Sequence, residues 1–241
     1  MGAERPPRGP LAGVVIAFDL DGTLVDTAPD LIGTLNHLLG EEGLPALPLA
    51  EARPLIGHGA RRLLQLGFHA AGQTLHPARL EVLFQRFIPH YRGRIAQESQ
   101  PFPGCEAALE ALAAEGAVLC VCTNKPSDLS EAVLGELDLA WRFAAIVGPD
   151  RAPAPKPDPA HLQAAVAAAG GDIGRAILVG DSGTDAGAAR AAGTGLILVD
   201  FGYTEIPVSD LSPDAVISHF DELPAACVRL MGACDAGAGR L

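Results

Sequence analysis

The sequence predicts a doubly wound α/β fold, a Rossmann-like parallel sheet carrying an inserted all-helical domain, and three features predict it. Short apolar runs of strand length recur along the chain, helical patterns separate the later runs, and one long stretch has helical periodicity with no strand candidate. The runs are 14–18, 117–122, 144–147, 176–179, 195–199 and, more weakly, 215–217. Each is continuously apolar instead of alternating, as parallel strands covered by helices on both faces should be. Helices are expected over 105–115, 127–137, 159–169 and 184–192. Gly116, Gly170 and Gly193 follow three of them, where a left-handed residue closes a helix and a Cβ would be penalised.

Between 28 and 97 the spacing of Leu31, Leu35, Leu38 and Leu39, then of Leu80, Leu83, Phe84, Phe87, Ile88 and Tyr91, is that of amphipathic helices. Pro29 and Pro77 stand where a first helical turn tolerates proline. The chain therefore divides into a core of 1–25 and 99–241 and a helical insertion of 26–98. Residues 25–28 and 99–104 are the expected linkers, and 1–12 and 232–241 the expected flexible ends.

Composition narrows the function. With 29 acidic and 17 basic residues among 241, the net charge is −12, which leaves few cations for a nucleic-acid or anionic membrane surface. Apolar residues at 49% and charged residues at 19% give a globular composition with a sizeable core. The cysteines (Cys105, Cys120, Cys122, Cys227, Cys234) are odd in number and form no CxxC pair, so they read as buried thiols in a reducing compartment. No signal peptide or membrane span is expected, and the protein is expected to be soluble and cytoplasmic. Trp141 is expected in the core, and of the histidines only His58, in a Gly-His-Gly loop, draws functional attention. Oligomeric state is not readable.

Polar residues gather at the carboxyl ends of the strands, where open α/β sheets bind ligands. The first strand runs into Asp19-Leu20-Asp21-Gly22-Thr23. Alternation points Asp19 and Asp21 the same way, and the Gly22 turn offers backbone N–H groups to an anion. The second strand ends in Thr123-Asn124-Lys125, Lys156 follows the third, and the fourth ends in Gly180-Asp181-Ser182-Gly183-Thr184-Asp185. Singly, each has an ordinary reading: an acidic turn, a helix cap, a solvated lysine, a capping pair. Jointly they make a site. Asp19, Asp21 and Asp181 would repel one another without a cation, and hard carboxylate oxygens favour Mg²⁺. Asp19 could then attack phosphorus as a covalent nucleophile while Asp21 protonates the leaving alkoxide and later deprotonates water. Thr123 and Lys156 would hold the phosphoryl oxygens. This is phosphomonoester hydrolysis.

These four motifs resemble those of the haloacid dehalogenase superfamily of phosphatases, whose pattern is DxDGTLxD, a Ser or Thr, a Lys, and GDSxxD. The resemblance implies Asp19 as nucleophile and metal ligand and Asp21 as acid/base with its backbone carbonyl on the metal. It further implies Thr123 and Lys156 on phosphate, Asp181 on the metal, and Asp185 ligating it or supporting it through water. The insertion is similar to the helical cap that selects substrate there, and Asp21 argues against dehalogenation, since dehalogenases lack it. Within the superfamily, 25–31, 57–60, Thr123-Asn124-Lys125-Pro126 and 201–204 before Pro213-Asp214-Ala215 resemble the bacterial phosphoglycolate phosphatases. A substrate with a carboxylate needs a cation, for which Arg61 and Arg62 beside the 57–59 loop are candidates. The expected partner is a small phosphorylated metabolite. Other small-molecule phosphatases, a phosphomutase and a phosphoacceptor signalling module are the alternatives; the insertion and the first-strand Asp19 disfavour the last.

Overall fold

A computed structural model describes residues 9–57, 59–204 and 206–238, without the side chains of 233–238. His58 and the outermost parts of the expected flexible ends, 1–8 and 239–241, lie outside the described residues. The strands are β1 (Val15–Phe18), β2 (Val25–Asp26), β3 (Gln100–Pro101), β4 (Val118–Cys122), β5 (Ala145–Val147), β6 (Ala176–Gly180), β7 (Gly195–Val199) and β8 (Ala215–Ile217). The helices are α1 (Ala28–Glu41), α2 (Leu49–Ala52), α3 (Ala60–Ala70), α4 (Pro77–Arg92), α5 (Cys105–Ala114), α6 (Ser127–Glu136), α7 (Pro159–Ala168), α8 (Gly183–Ala192) and α9 (Leu223–Ala238).

Six of the strands form one parallel sheet in the order β5-β4-β1-β6-β7-β8, so β1 lies between β4 and β6. Alternation along each strand divides the apolar residues between two layers. Ile16, Phe18, Leu119, Val121, Ile177 and Val179 face α5, α6 and α9, whereas Val15, Ala17, Cys120, Cys122 and Leu178 face α7 and α8. This two-sided burial is why the strands are apolar at every position. Cys105, Cys120, Cys122 and Cys227 are free and buried in these layers, and burial pushes the thiols of Cys105, Cys122 and Cys227 up to about 12.

Helices α1 to α4 all fall between β2 and β3. Leu31, Leu35, Leu38 and Leu39 of α1 pack with Leu63, Leu64 and Phe68 of α3 and with Leu83, Phe87 and Tyr91 of α4, as the spacing predicts. Gly67 of α3 lies against Leu35, so close that a Cβ there would sit 2.5 Å from its methyl group.

Three details differ from the sequence expectations. The two linkers are not loose connections: β2 and β3 pair antiparallel, Val25 with Pro101 and Asp26 with Gln100, so the chain leaves and re-enters through a two-stranded ribbon. The described parts of the two ends carry regular contacts. Leu11 is fully buried and donates its N–H to Glu115 O at 3.1 Å, and α9 carries regular helix to Ala238. Trp141 is not in the core but 69% exposed. It stands on a single helical turn (Ala140–Arg142), where its indole N–H donates to Asp138 O at 2.9 Å and the Arg142 guanidinium covers the ring.

Candidate active site

The three central strands β4, β1 and β6 end side by side, so the residues that follow them share one edge of the sheet. Asp19 extends the β1 ladder by one bond, its N–H donating to Val179 O at 2.9 Å. Thr123 does the same after β4, to Val147 O at 3.1 Å. Backbone pairing thus fixes both residues before any side-chain contact is made.

Lys156 is the hub. Its buried ammonium lies 3.0 Å from Asp19 Oδ1 and 2.6 Å from Asp185 Oδ1. Burial alone would lower its pKa, but Asp185 and Asp19 more than reverse this, so it stays charged. Its backbone is clamped. The Asn124 side chain accepts from Lys156 N and donates to Lys156 O, both at 3.0 Å, and His161 Nδ1 lies 3.1 Å from Lys156 N. Asn124 therefore lines the cavity while its amide is committed to holding Lys156.

Asp181 accepts the Tyr203 N–H at 2.7 Å and the Thr23 hydroxyl at 3.4 Å. Asp185, at the start of α8, accepts the Ser182 hydroxyl at 2.5 Å and the Ser182 N–H at 3.1 Å, in a capping box. Oxygens of Asp19, Asp181 and Asp185 all lie within 4.8 Å of one another in a buried group. Such a group is under electrostatic strain. Burial, the larger effect, raises the Asp19 carboxyl to about 6 despite Lys156, and burial with the charges of Asp185 and Asp19 raises Asp181 well above the ordinary range. A hard divalent cation would relieve both, so the donor set fits a Mg²⁺-like ion. Both oxygens of Asp185 and both of Asp181 carry hydrogen bonds, whereas the bonds that Asp19 accepts, from Leu20 N–H and Lys156, fall on Oδ1.

Gly22 has φ +83° and lies against Asp181, where a Cβ would sit 2.4 Å from Oδ2. Its N–H donates to Val25 O at 3.0 Å. The turn spends that donor on its own backbone instead of offering it to an anion, and the need for glycine is the close approach. The Asp21 carboxylate lies outside the acidic trio and accepts the Thr27 hydroxyl at 2.6 Å and the Lys125 ammonium at 2.9 Å. Asp19, Asp21 and Thr123 line a cavity of about 320 Å³ whose opposite wall is made by Ile56, Phe84, Phe87, Ile88 and Tyr91 of the insertion.

A family profile described as haloacid dehalogenase-like hydrolase matches residues 16–199, from β1 through β7. The chain belongs to that family. Among its relatives, a phosphoglycolate phosphatase of Caulobacter vibrioides is 53% identical over 94% of this chain and 95% of its own. One of Mesorhizobium japonicum is 44% identical over 87% and 92%. In three dimensions the hydrolase is similar to a Haemophilus somnus protein described as a predicted phosphoglycolate phosphatase, with TM-score 0.79 and 30% identity over 87% of this chain and 95% of that one. No helix among the described residues is long and apolar enough to cross a membrane.

Of the two arginines considered for substrate recognition, Arg62 is exposed and outside the cavity lining. Arg61 lines the cavity, but its guanidinium grips the Glu81 carboxylate at 2.9 to 3.3 Å over the Phe84 ring, in a half-exposed position. Sequence reasoning passed over Lys125, His161 and Tyr203. His161 is buried on α7 and ties Lys156 N to Val147 O. Tyr203 donates its hydroxyl to Asp26 at 2.6 Å and its N–H to Asp181, joining the ribbon to the acidic trio. One signal was available. The chain contains only two lysines, Lys125 and Lys156, and both are buried at this site.

Proposed function

We propose that the protein is a Mg²⁺-dependent phosphomonoester hydrolase that converts 2-phosphoglycolate and water to glycolate and phosphate through an aspartyl-phosphate. The observation that carries the reaction is the setting of Asp19: a carboxylate at a cavity floor, 3.0 Å from a buried ammonium and within 4.8 Å of two further carboxylates. Nothing in packing requires that cluster. The substrate is supported by the relatives at 53% and 44% identity, both named phosphoglycolate phosphatase.

Asp19 attacks phosphorus, forming an Asp19 O–P bond as the ester P–O bond breaks, and Asp21 delivers its proton to the departing glycolate oxygen. Water then attacks the same phosphorus. Asp21 takes its proton, the Asp19 O–P bond breaks, and the carboxylate is restored. Lys156 and the Thr123 hydroxyl hold the phosphoryl oxygens, and the Thr123 oxygen is itself fixed by accepting the Lys125 N–H at 3.2 Å. Asp19, Asp181 and Asp185 are the residues that would hold Mg²⁺, which would supply positive charge to offset the acidic group and lessen its repulsion of the incoming phosphate. In this reading 1–25 and 99–241 are the catalytic core, and 26–98 is a cap that excludes water once substrate is bound.

Asp19→Asn keeps the shape and removes the nucleophile. It is expected to lower kcat by about 10³-fold or more on every phosphomonoester in the presence of Mg²⁺. Normal turnover in that variant, measured as phosphate release, would refute the covalent mechanism.

A further inference from the structure

We infer that Lys125, held from the insertion by Tyr91, binds the substrate carboxylate and so sets the specificity of the site, an inference that rests on the 2-phosphoglycolate reading above. A phosphate ester of glycolate carries its carboxylate one methylene from the ester oxygen, and a buried carboxylate needs a cation with a free donor. Among the described residues lining the cavity, only Arg61 and Lys125 carry positive charge. Arg61 is half exposed and already paired in two-point fashion with Glu81.

Lys125 has the opposite setting. Its side chain is 4% exposed, and Nζ lies 2.9 Å from Asp21 Oδ1 and 2.8 Å from the Tyr91 hydroxyl oxygen. Asp21 is the group assigned to the ester oxygen. A ligand whose ester oxygen reaches Asp21 therefore brings the neighbouring carboxylate next to Nζ. An ammonium has three donors; Nζ meets the Tyr91 oxygen and both Asp21 oxygens, the second of these at 3.2 Å, and a substrate carboxylate would take the place of that longest contact. The surrounding wall of Leu31, Ile56, Phe87, Ile88 and Leu129 is apolar, which strengthens the attraction between unlike charges.

Tyr91 makes the contact depend on the insertion. It is buried on α4, so the residue that orients Lys125 belongs to the wall that faces the core. Burial, the larger effect, raises its hydroxyl to about 12, so it stays a neutral phenol. Lys125 stays protonated because Asp21 and Tyr91 outweigh the cost of burial. Tyr91 is a positioning residue, and Lys125 is the contact.

The test is the ratio of kcat/KM on 2-phosphoglycolate to that on ethyl phosphate, which lacks the carboxylate, in wild type and in Lys125→Met. Any effect of the variant through Asp21 falls on both substrates and cancels in the ratio. The ratio is expected to fall about 10²-fold in Lys125→Met and to be largely kept in Lys125→Arg. A ratio unchanged in Lys125→Met overturns the assignment while leaving the substrate reading intact; a wild type with no preference for 2-phosphoglycolate overturns the substrate reading itself. Should Lys125→Met fail to fold, the two lysines give a second route in the intact protein. With ¹⁵N in the lysine side chains, 3-phosphonopropionate should shift both ammonium signals and propylphosphonate only that of Lys156. Equal shifts of the Lys125 signal by the two ligands would overturn the proposal.

Discussion

At the residue scale, the site is a balance of buried charges in which small displacements matter. Gly22 is the tightest point, since its positive φ and its approach to Asp181 both exclude a side chain. Gly22→Ala should displace Asp181 and weaken Mg²⁺ dependence about 10- to 100-fold, read as the Mg²⁺ concentration giving half-maximal rate. Wild-type Mg²⁺ affinity in that variant would contradict the geometry. The acidic trio also predicts a pH dependence. Asp19 has a folded value of about 6 against an ordinary 3.8, so between about pH 4 and 6 the folded metal-free protein binds more protons than the unfolded chain. Raising the pH through that window removes stability contributed by this group. Mg²⁺ must expel the same proton, so its affinity should rise across the window. Calorimetry in buffers of different ionisation enthalpy should show proton release on Mg²⁺ binding near pH 5.5 and little near pH 8; no release at either pH would contradict the coupling.

At the element scale, the strands and helices of the core and the helices of the insertion were legible because their burial is regular. Strands covered on both faces read as unbroken apolar runs, and α4 reads as a stripe ending in Tyr91. The β2–β3 ribbon was not legible: two residues per strand carry no period, and the pairing exists only because the linkers are brought together by what they connect. Trp141 failed for a related reason, since one aromatic in a single turn has no neighbours to indicate a face. Among the site residues, those at strand ends were legible from position alone. Lys125 was not, although it sat inside a recognised motif, because its meaning depends on Tyr91 from another element. The return from the insertion has its own anchor. Asp30 of α1 is fully buried and accepts the Ser99 N–H at 2.9 Å, the Ser99 hydroxyl at 2.7 Å, the Glu98 N–H at 3.0 Å and Arg94 Nε at 3.3 Å. Asp30→Ala should cost about 3–5 kcal/mol by leaving these donors unpaired. Denaturant unfolding measures it, and a loss under 1 kcal/mol would show that the anchor is dispensable.

At the scale of the whole molecule, the net charge of −12 and the proposed trianionic substrate are compatible because charge is segregated. Fifteen of the 17 cationic side chains are arginines, and many of these pair with acids on the surface, such as Arg86 with Glu41 and Glu42 or Arg151 with Glu131. Both lysines are buried, Lys156 beside Asp19 at the sheet edge and Lys125 beside Asp21 where the insertion meets the core. The sheet edge places Asp19 and Asp21 on one side of the cavity and the insertion places Tyr91 and the apolar wall on the other, so a ligand in the cavity touches both. The most direct test of the account is a single set of steady-state rates with Mg²⁺ on 2-phosphoglycolate, a hexose phosphate, a nucleoside monophosphate and an aryl phosphate. The highest kcat/KM is expected on 2-phosphoglycolate; a hexose phosphate or nucleotide ranking first would contradict the proposed substrate.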